Sequence, residues 1–330
     1  MANIIDVARA ASVSPMTVSR YFNAPERLRP ETRERVRQAV ETLRYVPNEA
    51  ARSLVRGATH SVALVVPDLS NPFFTAVSRG VEGRASDAGY TLIVANTGED
   101  GDRERTHLEA LLRRRVDGLL RAPVATGGSA DPSLRLRRPA QVLIDRRVPA
   151  PHADVIVSDS FDGGRQLVEH LVAQGYRDIA FLGGTPGVSS LEDRLNGYRI
   201  AMQGAGLVPR AALGRFDRAS GERLVDELVA TRTLPEAIVA ANNLVAIGAL
   251  TALRRHGLDV PRDVAVVAFG DIELAAAIDP FLTVIAHPAE RMGALAFDLL
   301  LDRMRGYEGP PRVQVLPVEL VVRRSAIRAR

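Results

Sequence analysis

Asn3-Ile4-Ile5-Asp6-Val7-Ala8-Arg9-Ala10-Ala11-Ser12-Val13-Ser14-Pro15-Met16-Thr17-Val18-Ser19-Arg20 reads as two short helices joined by a tight turn. Ile5, Val7, Ala8 and Ala11 recur at helical spacing and predict a buried stripe on the first helix. Asn3 suits its start, with Asp6 at the reciprocal capping position. Ser12-Val13 makes the turn. Ser14 then caps the second helix, Pro15 sits where a missing N–H costs nothing, and Val18 points inward. Ser14, Thr17, Ser19 and Arg20 stay outside. The pattern suits an ordinary helical hairpin, and it also suits a helix-turn-helix whose second helix enters a DNA major groove.

Working outward, Pro30–Leu43 predicts a third helix with Val36, Val40 and Leu43 inward. Its arginines alternate with glutamates, which reads as a solvated face. Asn48 can cap a further segment that Gly57 stops. About eight residues is too short for a helix stable alone in water, so this segment is expected to fold against a partner.

Several motifs now converge. They are Val13-Ser14-x-x-Thr17-Val18-Ser19-Arg20, Glu31-Thr32-Arg33, and Tyr45-x-Pro47-Asn48-x-x-Ala51-Arg52-Ser53-Leu54. Further along come Val65-Val66-Pro67-Asp68-Leu69-Ser70-Asn71-Pro72-Phe73-Phe74, Arg115-Val116-Asp117-Gly118, Arg194-Leu195-x-Gly197-Tyr198 and Val260-Pro261-x-Asp263-Val264. In content and order the chain resembles the lactose/galactose/purine repressor family (LacI/GalR) over essentially its whole length.

Charge agrees with a DNA-facing head. All 43 Lys+Arg positions of this 330-residue chain are Arg. Residues 1–60 hold ten of them against six acidic residues, whereas the rest of the chain balances. The formal excess of +4 thus falls where phosphates would need it. No cysteine is present, which excludes disulfides, thiolate metal sites and thiol nucleophiles. No apolar run approaches a membrane span, and the polar start is no signal peptide, so a cytoplasmic location is expected.

From His60 apolar β-branched runs alternate with amphipathic ones: 61–66, 73–88, 90–95, 102–113, 118–121 and 141–144. A second series follows at 155–157, 164–174, 179–182, 194–205, 237–240, 246–256 and 264–268. Two parallel α/β sheets covered on both faces are expected. The resemblance implies a two-lobed body of the type-1 periplasmic-binding fold, with the chain crossing near residues 160, 288 and 318. The expected division is a helix-turn-helix head at 1–46, a hinge helix at 47–58 and an effector-binding and dimerisation body at 59–330. Lobe one takes about 59–160 and 289–317; lobe two takes 161–288 and the C-terminal segment.

Catalytic signals fail. Gly183-Gly184-Thr185-Pro186-Gly187 lacks the Lys-Ser/Thr of a phosphate-binding loop. The six histidines show no ligand spacing, so neither metal nor cofactor is expected, nor an enzyme. A sugar receptor without DNA binding is the other class, opposed by the head.

The resemblance carries site residues with it. Arg20 is expected to read a guanine, a pairing worth about 1–3 kcal/mol. Pro15 and Met16 are expected in apolar base contact, with Ser14, Thr17, Ser19 and Asn23 on phosphates. Leu54 resembles the family's minor-groove wedge, flanked by Asn48, Ala51 and Arg52. In the cleft beyond the strands' carboxyl ends, family positions implicate Asp68, Asn71, Phe73, Asp145, Arg146, Asp159, Arg194, Asn242 and Asp271. Two departures stand out: Gly270 replaces a usual carboxylate in Ala268-Phe269-Gly270-Asp271, and Asn243 replaces another. With Arg146 and Arg194 kept, an acidic effector is expected, such as gluconate, ketogluconate or a sugar phosphate. A neutral sugar or nucleoside is the alternative. The expected partners are a palindromic DNA operator, that effector and a second copy of the chain. The end of the chain carries no apolar heptads, so nothing beyond a dimer is expected.

Overall fold

The computed structural model describes residues 2–46, 58–124 and 139–328. The chain separates into two compact units, a head at Met1–Thr59 and a body at His60–Arg330.

The head is built from α1 (Ile4–Ala10), α2 (Pro15–Asn23) and α3 (Pro30–Thr42). Local chemistry sets its boundaries. Asn3 Oδ1 accepts from the Ile5 and Asp6 amides at 2.8 and 3.1 Å, while the Asp6 carboxylate accepts from Asn3 N–H at 3.0 Å. Ser14 Oγ accepts from the Thr17 amide and starts α2. Between them Ser12 takes a left-handed φ of 51°. Val7, Ala8, Ala11, Val18, Val36 and Ala39 form the core, with Ile4, Phe22 and Leu43 packed around it. One expected core residue lies elsewhere: Ile5 is 55% exposed, and Ile4 completes the stripe with Val7, Ala8 and Ala11. The spacing i, i+3, i+4, i+7 fits that set, whereas Ile5 is two and three residues from Val7 and Ala8 and falls at the edge of the stripe.

The body's first series comprises β1 (Ser61–Val66), α4 (Pro72–Asp87), β2 (Thr91–Asn96), α5 (Gly101–Arg113), β3 (Gly118–Arg121), β4 (Ala140–Ile144) and β5 (Asp154–Ser158). A second series runs α6 (Ser160–Ala173), β6 (Ile179–Leu182), α7 (Ser189–Gly204), β7 (Arg210–Ala212), α8 (Arg218–Ala230), β8 (Ala237–Ala240), α9 (Asn243–Arg255), β9 (Ala265–Phe269), α10 (Glu273–Ile278) and β10 (Thr283–Ala286). Then α11 (Ala289–Met304), β11 (Val313–Leu316) and β12 (Glu319–Val321) follow.

Two six-stranded sheets result, ordered β11-β5-β4-β3-β1-β2 and β12-β10-β9-β8-β6-β7. Every described pairing is parallel except β10 with β12. The sequences of β1, β8 and β9 are continuous apolar runs because helices cover both sides. Each buried Val or Leu there contributes about 1.5–3 kcal/mol. The chain passes between sheets at Asp159, at His287-Pro288 and at Pro317-Val318. A cleft is formed between the two sheets, and His287 of one crossing belongs to its lining.

Helices pair closely through glycines. A Cβ on Gly197 of α7 would lie 1.9 Å from the Phe161 carbonyl oxygen of α6; one on Gly164 would lie 2.3 Å from the Arg194 oxygen. Backbone touches backbone, which fixes the height of α7 and hence of Arg194. The pairs α4 with α11 and α8 with α9 meet the same way at Gly80/Gly293 and Gly221/Gly248. Among the described residues no helix is long and apolar enough to cross a membrane.

Candidate functional site

The outer face of α2 is polar and open. Met16 is 71% exposed, and Arg20 is exposed without an ion pair to any described residue. Ser14 and Thr17 share a 2.9 Å hydroxyl bond, and Asn23 donates to Ser19 at 3.2 Å. These bonds pre-set a row of small polar groups beside Arg20. On α3, by contrast, Arg37 is tied to Glu34 and Glu41, and the Arg37 bonds pull the Glu34 carboxyl down to about 2. Those three charges of α3 are used within the helix. Asn48, Ala51, Arg52 and Leu54 lie outside the described residues.

The second site is the cleft, a space of about 720 Å³ including its open mouth. Loops at the carboxyl ends of the strands supply its walls, as parallel α/β sheets dictate. Asp68, Asn71, Phe73, Asp145, Arg146, Arg194 and Asn242 all line it. Asp159 and Asp271 do not, and each has another partner. Asp159 caps α6 through the Asp162 amide, and Asp271 is held by both terminal nitrogens of Arg323 at 2.8 and 2.6 Å. The Arg323 bonds keep the Asp271 carboxyl below its usual range despite opposing burial.

Asp145 is the centre of the lobe-one wall. It stands just past β4 with φ 62°, a strained conformation for a residue with a Cβ. One carboxylate oxygen accepts from Ser190 Oγ at 3.4 Å; the other lies 3.7 Å from Arg194 and has no hydrogen bond. Arg194 rises from α7, donates to the Ala241 carbonyl at 2.8 Å, and sits 4.8 Å above the Phe269 ring. Burial lowers its pKa from the ordinary value, with Asp145 opposing.

Arg146, expected to favour an acidic effector, has a carboxylate partner within the chain. Its two terminal nitrogens donate to Glu99 at 2.7 and 2.6 Å, and one also reaches the Pro123 carbonyl at 3.3 Å. Burial works against its charge, but the Glu99 bonds prevail and raise its pKa. At the mouth Arg215 pairs with Asp217 at 3.3 Å. The three arginines of the wall thus face four carboxylates, those of Asp68, Glu99, Asp145 and Asp217.

Across the cleft, Asn242 is fully used, capping α9 and donating to the Phe216 carbonyl. Asn243 donates to Asn71 of lobe one at 3.3 Å and keeps its own oxygen unbonded. His287 lies on a chain crossing, edge-on to Phe73 at 5.5 Å and stacked on Phe269 at 6.1 Å. Burial, with Arg194 nearby, pushes its imidazole down to about 3, so it is neutral. Sequence reasoning missed Glu99, Phe216 and His287. Glu99 had one available signal, its place in a turn directly after a strand.

Buried atoms without partners collect here. Asp145 Oδ1, Arg146 Nε, Arg194 Nε, Asn243 Oδ1 and His287 Nδ1 have no hydrogen bond, although such groups are rarely left orphaned. They include both donors and acceptors, and Phe73, Phe216 and Phe269 belong to the same lining. Such a site suits a ring carrying hydroxyls or amides. Among the described residues, no group of His, Asp or Glu could hold a metal ion.

Comparison with known proteins places these two sites in context. A family described as bacterial regulatory proteins, lacI family, matches residues 3–48, and the periplasmic binding protein-like domain matches residues 168–326. The HTH-type transcriptional repressor PurR of Vibrio campbellii is 34% identical over 331 residues, 98% of each chain. Its counterpart in Aliivibrio fischeri is 34% identical over 334 residues, again 98% of each. Among solved structures, the lac repressor dimer bound to operator and the anti-inducer ONPF superposes with a TM-score of 0.84 at 28% identity, covering 99% of both chains. The transcriptional regulator CelR in complex with cellobiose gives 0.72 at 31% identity, covering 98% of this chain and all of that one.

Proposed function

Because the chain belongs to the lacI family of bacterial regulatory proteins and is a DNA-binding transcriptional repressor with an effector-binding body, we propose that a neutral, hydroxyl-bearing ring compound controls it. The class is a sugar or nucleoside. The observation that carries this reading is the cleft's lack of surplus positive charge, three arginines against four carboxylates, combined with its orphaned polar atoms. Arg146 and Arg194 already face Glu99 and Asp145, so an anion would meet no uncompensated positive charge. Hydroxyls, which both donate and accept, can satisfy Asp145, Asn243 and the two guanidinium Nε atoms together. Phe73 and Phe216 line the same space and offer apolar surface to the ring. The cellobiose seen in CelR is a neutral sugar bound by a similar protein.

On DNA, two copies of the chain place α2 in successive major grooves of a two-fold operator. Arg20 reads guanine, Met16 and Pro15 make apolar base contacts, and Ser14, Thr17, Ser19 and Asn23 hold phosphates. By resemblance to the family, Asn48, Ala51, Arg52 and Leu54 contact the minor groove, with Leu54 as its wedge. Effector binding shifts the angle between lobes and thereby whether paired hinges form.

Calorimetry against ribose, glucose, cellobiose and adenosine, beside gluconate and ketogluconate, tests the effector class. Saturable binding of a neutral compound that alters a gel shift on the chain's own upstream palindrome is the expected result. Binding of the acids alone would overturn the reading.

A further inference from the structure

We infer that Glu99 sets the charge class of the molecule this cleft accepts, by filling the guanidinium fork that an anionic ligand would otherwise occupy. The inference rests on the neutral-effector reading and names the residue responsible for it.

Arg146 presents two terminal nitrogens side by side, the geometry that a carboxylate satisfies with two parallel bonds. Glu99 makes those two bonds at 2.7 and 2.6 Å, and its side chain is only 14% exposed. Both residues line the cleft, so the pair occupies ligand space and is no remote surface bridge. The backbone is shaped for this task. Glu99 has φ 60°, follows Gly98 at φ 65°, donates its amide to the Pro67 carbonyl at 3.1 Å, and precedes Asp100, which caps α5. A left-handed glutamate pinned between a glycine and a cap has its carboxylate aimed by the turn itself.

The other lining cations offer no substitute. Arg194 is committed to the Ala241 carbonyl and to the Phe269 face, with Asp145 at 3.7 Å. Arg215 has Asp217. Glu99 therefore acts as a built-in carboxylate that mimics an acid ligand. Without it, Arg146 would be buried with an empty fork, its remaining carboxylate neighbour in the cleft wall being Asp145, 3.8 Å from its Nε and shared with Arg194, beside hydrogen-bonding groups suited to a hydroxylated chain. A sugar acid has that combination of carboxylate and hydroxyls.

The test uses the full chain with Glu99→Gly, which also suits the left-handed backbone, and Glu99→Gln, which removes charge while keeping size. Wild type and both variants are titrated calorimetrically with gluconate and with acetate, at ionic strength matched with sodium chloride. Expected is a gain of about tenfold or more in gluconate affinity for Glu99→Gly, weaker rescue by acetate, and a smaller gain for Glu99→Gln. If folded variants take gluconate no better than a wild type that refuses it, the role of Glu99 is overturned while the neutral reading stands. If the wild type already binds gluconate as tightly as the variants, both fall. Should Glu99→Gly not fold, Glu99→Gln decides on the same criterion.

Discussion

Arg20 stands exposed on α2 with no ion partner among the described residues, so its replacement should disturb the fold little, and on the proposed reading it removes a base contact. Arg20→Ala should weaken operator binding by about 1–3 kcal/mol and relax preference at one base pair, whereas a phosphate contact would be lost evenly across sequences. Binding to operators substituted one position at a time separates the two outcomes. His287 gives a second expectation at this scale. Its folded pKa of about 3 lies below the unfolded 6.5, so between those values the unfolded chain holds one more proton. Its contribution to stability is therefore present above pH 6.5 and declines as pH falls toward 3. His287→Gln should lose that part of the acid slope, visible as a shallower fall in urea-unfolding free energy than wild type over the same interval. Identical slopes would place the imidazole in water.

Elements are held by what lies against them, and the helix pairs make this measurable. Gly197→Ala drives a methyl to within 1.9 Å of a carbonyl oxygen and should cost about 1–3 kcal/mol or more as α6 and α7 separate. Gly204→Ala, on the same helix with nothing within 4 Å, should be neutral or stabilise by up to about 1 kcal/mol. Thermal melts of both variants make the comparison internal to one helix. The contrast also explains what was readable in the chain. Caps such as Asn3 and Ser14 were legible because their partners lie three residues away. Strands β6 and β8 were legible because continuous apolar runs between turns have few other uses. The Glu99–Arg146 and Asp271–Arg323 pairs were not, since 47 and 52 residues separate the partners and only the folded sheets bring them together. Asp271 was assigned to the cleft by position alone, and a distant arginine had already taken it. Ile5 failed for a simpler reason: two adjacent isoleucines look alike until the helix phase is known.

At the scale of the whole body, the two lobes are fastened across the cleft rim by charge. Arg147 of lobe one donates its amide to Ser189 Oγ at 2.7 Å and its guanidinium to Asp193 at 2.6 and 2.8 Å. Both side chains are partly exposed, so the fastening should weaken with salt and shift the closed population by up to about fivefold. The absence of native cysteine allows this to be read directly. Spin labels at Asp87→Cys and Val208→Cys, one on each lobe, should report a longer or broader distance in Arg147→Asp. The pair Arg147→Asp with Asp193→Arg should restore it. An unchanged distribution would show that closure is set elsewhere.

His287 occupies one of the three places where the backbone passes from lobe to lobe. Points near a pivot travel little when the arms swing, so an atom seated against this imidazole keeps its position whether the jaws gape or meet. A molecule could thus be caught there first, at a fixed anchorage, and sense the swing only through its far end. Reading the angle would then depend on the ligand's length from that anchorage to the rim.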